Sequence, residues 1–201
     1  LVLENTIIDQ IFPYKVDEKS RGVKMACEKL QKIRHSCAHV MAEAIRNLFP
    51  GTKIAIGPAI DNGFYYDFDF PEGTKFTEDD FGSVEKEMRK ILLGNHDFVR
   101  SEVTRDEALK IFTDEPYKVE LIKAFPENET ITTYRQNTFL DLCRGPHVEN
   151  TREINAQAFK LAKIAGAYWK GDSSRPMLTR VYAYCFEKPN ELKEYISMLA
   201  E

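Results

Sequence analysis

Three of the four histidines in this chain stand in two matched pairs. His35 and His39 lie four apart in RHSCAHV, and His147 follows Cys143 by four in CRGPH. Imidazole nitrogen and thiolate sulfur are the ligands zinc prefers, and four of them make a tetrahedral site. The same groups move protons and attack carbonyl carbons at neutral pH. Three chemistries therefore fit: His35, His39, Cys143 and His147 close around a structural zinc; they form an open site that activates water, with or without a metal; or Cys143 is a nucleophile served by a histidine base. H-x-x-x-H alone arises often by chance, from unrelated core and surface residues. The second matched pair argues against coincidence. His96, in GNHDF, reads as a solvated loop residue.

The pairs can act together only if the scaffold brings them together. Between about Val23 and Phe49 the apolar residues Ile33, Cys37, Val40, Met41, Ala44, Ile45 and Leu48 recur at spacings of three and four, the signature of a helix with one buried stripe. Pro50-Gly51 ends it. Residues four apart on a helix share a face, so His35 and His39 project into one volume beside that stripe. Cys37 points to the other side and reads as packing. Cys143 and His147 bracket Arg144-Gly145-Pro146, which cannot continue a helix, so this pair belongs in a turn after a strand.

The remaining elements follow from local signals. LVLENTIIDQIF reads as a short strand. KIAIGPAI and FYYDFDF read as strands joined by a hairpin at Asp61-Asn62-Gly63. Phe64, Tyr66, Phe68 and Phe70 share one face of the second run, and Asp67 and Asp69 the other. Thr77 reads as the cap of a helix running to about Leu93, ended by Gly94-Asn95. A strand is expected near Phe98–Val103, and Thr104 to Glu107 has the spacing of a capping box. Pro116 suits the first turn of a helix over YKVELIKAF. ITTYR, TFLDLC, FKLAKIAGAYWKG and MLTRVYAYCF read as strands or mixtures of loop and strand, and Pro189-Asn190 opens a last helix. Trp169 and Tyr168 read as core. Helices and strands do not alternate strictly, which predicts an α+β fold with a mainly antiparallel sheet and the H-x-x-x-H helix packed beside a cleft.

Composition narrows the class. The chain has 201 residues, 43% hydrophobic and 30% charged, enough for a real core under an ordinary mixed-charge surface. At a net charge of -4 it is not a free-standing basic nucleic-acid binder, so any grip on phosphate needs a local patch or another part of a larger protein. Four scattered cysteines without C-x-x-C point to a reducing, cytoplasmic-type compartment. No apolar run approaches the ~20 residues a membrane helix needs, and the start has no signal-peptide pattern.

HSCAHV, AIGPAIDNGFYYDF, YKVELI, DLCRGPHV and AGAYWKGDS, in this order, resemble the editing domain of bacterial-type threonyl-tRNA synthetases, their second N-terminal domain. The alanyl relatives share H-x-x-x-H and C-x-x-x-H but not the GFYYDF or RGPHV wording. The resemblance covers about residue 30 to the C-terminus, so residues 1–30 are expected to be a lead-in segment and 31–201 the domain. It implies an aminoacyl-tRNA deacylase that forms part of a threonine-tRNA ligase. Such a module hydrolyses serine mischarged onto tRNA(Thr), because a pocket built for threonine rejects serine by only about 1–3 kcal/mol. The class II synthetase motifs are not found, so the chain is not expected to make threonyl-tRNA by itself, and ATP and Mg would serve only that synthetic part.

By the same resemblance, His35, His39, Lys118, Asp141, Cys143 and His147 would form the catalytic set, and Tyr66 would bind substrate. Without it, Lys118 would read as a surface lysine, Tyr66 as sheet core, and Asp141 as a partner of local backbone amides. No cofactor is expected to be required for editing, although zinc remains possible at His35, His39, Cys143 and His147. The expected partners are the 3′ acceptor end of tRNA(Thr) carrying serine and the rest of a synthetase chain, with no membrane. The expected location is the cytoplasm or its organellar equivalent. Ala variants of His39 and Lys118 are expected to lose activity and keep their melting temperature. The rival expectation is a structural zinc-binding or tRNA-docking module without catalysis.

Overall fold

A computed structural model describes residues 21–200. The strand read in LVLENTIIDQIF lies outside these residues. Helix α1 (Arg21–Leu48) carries most of the predicted stripe: Ile33, Cys37, Val40, Met41, Ala44 and Ile45 are all buried, whereas Leu48, at the helix end, is exposed. The chain turns away just beyond it, where Gly51 has a φ of 88°. Among the described residues no helix is long and apolar enough to cross a membrane.

The run KIAIGPAI forms not one strand but two short ones, β1 (Lys53–Ile54) and β2 (Ala59–Ile60). Pro58, which cannot donate to a ladder, stands between them. Both pair antiparallel with β3 (Gly63–Asp69). The β2–β3 turn is Asp61-Asn62, with Asn62 at φ 66° and Gly63 already paired. Phe64, Tyr66 and Phe68 turn fully buried side chains toward α1, as the alternation predicts. On the opposite face Asp67 receives Arg180 at both carboxylate oxygens (2.8 and 2.9 Å) from the residue directly across the ladder.

Strands β7 (Phe159–Tyr168) and β8 (Met177–Cys185) complete a five-stranded antiparallel sheet with main path β1-β3-β8-β7. A second sheet runs β4 (Val99–Val103), β5 (Ile131–Gln136), β6 (Phe139–Leu142). Around them lie α2 (Phe81–Leu93), α3 (Arg105–Ile111), α4 (Pro116–Ala124) and α5 (Pro189–Ala200). Thr77 caps a short 3-10 turn that leads into α2, and Thr104 and Glu107 close the predicted capping box on α3. Trp169 is buried as expected, whereas Tyr168 is exposed at the β7–β8 hairpin end.

Two apolar cores result. The larger packs α1 and α2 against β3 and β8, and the smaller gathers Phe112, Tyr117, Leu121, Ile122, Trp169 and Leu178 around α4. The chain crosses between them at Leu142 and Cys143, one residue in each core. A polar seam left between the two cores is where charged groups can meet without disrupting either.

Gly57 lies on this seam. A Cβ there would sit 2.0 Å from the Tyr66 ring, which is fully enclosed and cannot swing away. Gly57→Ala is therefore expected to lower stability by about 1–3 kcal/mol in urea unfolding. Gly82→Ala, in an exposed first turn of α2 with nothing near the added carbon, should be neutral or stabilise by up to about 1 kcal/mol.

Candidate active site

His35 and His39 stand one turn apart on α1, and Cys143 and His147 come to meet them from the bend after β6. That bend needs its glycine: Gly145 has φ 75°, and a Cβ there would lie 2.4 Å from the Tyr134 hydroxyl. The Cys143 sulfur lies 3.3 Å from His35 Nε2 and 3.2 Å from His147 Nε2. The His147 ring stacks on His35 at 4.1 Å and on Phe98 at 5.0 Å, and it tilts against His39 at 4.2 Å. The two sequence pairs thus form one cluster.

A second group adjoins it. Lys118 and Asp141 are each only 2% exposed, and Lys118 Nζ sits 2.6 Å from Asp141 Oδ1. The Tyr66 hydroxyl donates to Asp141 Oδ2 at 2.6 Å and accepts from Lys118 at 3.3 Å. His39 Nε2 approaches the same Oδ2 at 3.3 Å, so His39 belongs to both groups. Lys118 is neither a surface lysine nor solvated, and Asp141 bonds these side chains instead of local amides.

Helix α4 is held firmly to keep Lys118 there. Glu115, just before it, accepts from the Ile54 amide at 3.1 Å and pairs with Arg46 at 3.2 Å. The Tyr117 hydroxyl donates to Asp69 at 2.5 Å. Glu120 takes Lys170 at 2.7 Å and the Trp169 indole at 3.0 Å from the β7–β8 hairpin, together with Arg175. On the other side, Glu43, one turn beyond His39, accepts from Asn137 at 2.6 Å and from Gln136 and Thr138 at 3.3 Å. This fastens the β5–β6 turn, and hence Asp141 and Cys143, to the histidine helix.

Burial dominates the electrostatics. It pushes His39 down to about 3 and His35 down to about 4, and it holds His147 well below the ordinary imidazole range. All three are neutral at pH 7. Burial, with the Asp141 charge adding to it, pushes the Cys143 thiol up, which weighs against a thiolate nucleophile. Burial alone would raise Asp141, but Lys118, His39 and the bonds from Lys118 and Tyr66 outweigh it and hold the carboxyl below its usual range.

The cluster fits a metal ion. One donor atom from each of His35, His39, Cys143 and His147 lies within 4.8 Å of the others. Donors around tetrahedral zinc stand roughly 3.3–3.6 Å apart, close to the two sulfur–nitrogen contacts. His35 Nδ1 donates to the Pro146 carbonyl at 3.2 Å and His147 Nδ1 faces Ser36 Oγ at 2.9 Å, so each ring is oriented from behind as metal ligands are. His39 Nδ1 is buried with no hydrogen-bond partner among the described residues.

Beside both groups opens a cleft lined by His35, His39, Ile56, Gly57, Lys118, Leu121, Asp141, Leu142 and Cys143. The cleft is narrow: the space open to the centre of a water molecule is about 20 Å³, room for about one.

Residues 131–182, from β5 through most of β8, match the family described as the threonyl and alanyl tRNA synthetase second additional domain. That part of the chain carries this domain's sequence pattern. It is 52% identical over 174 residues to the threonine-tRNA ligase of Rhodopseudomonas palustris and 53% identical over 174 residues to that of Bartonella bacilliformis, in each case over 86% of this chain and 26% of the relative. The ligase of Borrelia duttonii is 51% identical over 172 residues, covering 86% of this chain and 29% of the relative. The chain thus spans about a quarter of the length of these ligases and corresponds to their editing-domain region.

All seven site residues expected for this family, His35, His39, Tyr66, Lys118, Asp141, Cys143 and His147, meet here. Sequence reasoning missed Ser36, Glu43, Gly57, Glu115 and Glu120. Ser36 offered one signal, a polar residue between the two histidines that proves fully buried. Arg144, between Cys143 and His147, pairs with Glu129. His96 is partly buried, not solvated, with its backbone exchanging hydrogen bonds with Thr151.

The lowered histidines carry a stability consequence. The unfolded chain takes up protons on imidazole near pH 6.5, whereas folded His35 and His39 resist until about 4 and 3. Between these limits the unfolded state binds more protons, so stability falls as pH falls from 6.5 toward 4, by up to about 1.4 kcal/mol per pH unit per histidine. Unfolding measured from pH 7 to 4 should show this slope, and His39→Gln should make it shallower by about one histidine's share.

Proposed function

We propose that this chain is the proofreading module of a threonyl-tRNA synthetase, residues 31–201 with 1–30 as lead-in, and that it hydrolyses the ester of Ser-tRNA(Thr). The observation that carries the reading is the buried Lys118–Asp141 pair placed against a neutral imidazole cluster at the end of a water-sized cleft. Fixed charge beside a single water position is what ester hydrolysis needs.

The aminoacylated 3′ adenosine enters the cleft mouth with its ester carbonyl toward Lys118. A water held in the cleft attacks the carbonyl carbon and passes a proton to His39, whose Nδ1 has no partner and whose Nε2 is tied to Asp141, the carboxylate that favours the charged ring. The ammonium of Lys118 stabilises the tetrahedral oxyanion. Collapse breaks the ester bond, and the ribose oxygen leaves with the proton, giving serine and free tRNA. Asp141 and Tyr66 hold Lys118 and His39 in place, and Tyr66 bounds the substrate side. His35, Cys143 and His147 wall the site. Ile56, Leu121 and Leu142 supply apolar surface where the extra methyl of threonine would have to fit. Clash excludes a larger group more sharply than a loose fit rejects a smaller one.

Zinc held by His35, His39, Cys143 and His147 would polarise a carbonyl or acidify a bound water. The hydrolysis proposed here does not require it. A second reading rests on the same four donors: a structural zinc or tRNA-docking module without catalysis.

Incubation with Ser-tRNA(Thr) and Thr-tRNA(Thr) distinguishes the readings. The first should be deacylated and the second spared, before and after treatment with a chelator, with an unchanged melting temperature. A structural zinc module would hydrolyse neither and would lose stability on chelation. His39→Gln should slow deacylation of Ser-tRNA(Thr) about 100-fold or more. Lys118→Ala is a poorer test than its sequence position suggested. It strands Asp141 as a lone buried charge and should cost about 3–5 kcal/mol of stability.

A further inference from the structure

Ser36 has no role in the chemistry derived above, yet it is fully buried and touches the cluster twice. Its hydroxyl oxygen lies 2.9 Å from His147 Nδ1 and accepts from the Val148 amide at 3.0 Å. The direction of every hydrogen bond in the cluster follows from one fixed point. The Pro146 carbonyl can only accept, so His35 Nδ1 carries a hydrogen and the neutral ring presents a bare Nε2 to Cys143. The thiol has one hydrogen, and it goes to that nitrogen. The sulfur can then only accept from His147, so His147 Nε2 carries the hydrogen and its Nδ1 is bare. The Ser36 hydroxyl completes the chain by donating to that Nδ1 while the Val148 amide donates to Ser36. Reversing His147 would set two bare nitrogens against one thiol hydrogen and leave one of them unsatisfied in the interior.

We infer that Ser36 is a positioning residue that selects the Nε2–H form of His147 and so orients the whole chain from Val148 through Cys143 to Pro146. Its catalytic consequence rests on the proofreading reading, and the tautomer rests on geometry alone. With His147 and Cys143 each donating within the chain, His39 is left as the ring with an open nitrogen.

Nitrogen NMR of the imidazole rings in the chelator-treated chain tests this directly. Wild type should show His147 protonated at Nε2 and bare at Nδ1. Ser36→Ala should give a mixture of the two forms and lower the kcat for Ser-tRNA(Thr) about 10- to 100-fold, the usual effect of losing an orienting partner, with a smaller change in KM. Ser36→Thr, which restores the hydroxyl, should restore the single form and most of kcat. A wild-type ring protonated at Nδ1, or a Ser36→Ala ring that keeps the single Nε2–H form, overturns the inference. A wild type with the expected tautomer that hydrolyses no Ser-tRNA(Thr) upholds Ser36 and removes the proofreading reading instead.

Discussion

The fold is arranged around an ion pair almost wholly withdrawn from water. Taking an ammonium and a carboxylate out of water costs several kcal/mol for each ion, and attraction repays this only with good geometry and further hydrogen bonds. Lys118 and Asp141 meet both conditions, at 2.6 Å with Tyr66 and His39 closing on the carboxylate. Well-packed apolar residues in the same space would serve stability as well or better. The pair is placed where the two apolar cores leave a seam, and three separate anchors, Glu115, Tyr117 and Glu120, hold the helix that delivers the lysine. Charges fixed before a substrate arrives need no rearrangement during reaction.

The neighbouring cluster shows how one set of side chains can support two chemistries. Burial keeps three imidazoles neutral and the thiol protonated, so His35, Cys143 and His147 link to one another by hydrogen bonds, with Pro146 and Ser36 at the two ends. The same burial gathers four donors within 4.8 Å of one another, with the two sulfur–nitrogen separations close to those around zinc. A metal would take the thiol proton and the bare nitrogens, replacing the ordered chain. The lysine–carboxylate pair beside it carries charge without any metal, which is why hydrolysis is assigned to that pair and to His39.

Much of the scaffold was legible in the sequence. The stripe on α1, the alternation in β3, the capping box at Thr104 and the two four-residue pairs all depend on neighbours close in the chain. The environment of Lys118 was not legible. YKVELI is too short for its periodicity to show an inward face, and the lysine on this helix is buried because Asp141, 23 positions later on strand β6, calls for it. The Glu43 and Glu120 clamps were hidden for the same reason, since acidic residues on helices ordinarily face water. Pro58 dividing KIAIGPAI was readable but was passed over. The family resemblance supplied Lys118, Tyr66 and Asp141, which local pattern alone would have assigned elsewhere.

The most direct test is a crystal structure of the chain with a non-hydrolysable amide analogue of 3′-seryl-adenosine. The account predicts density in the cleft, with the seryl carbonyl oxygen within hydrogen-bond reach of Lys118 and the amide carbon facing His39. An analogue bound on another surface, or seated with its carbonyl turned away from Lys118, would contradict it.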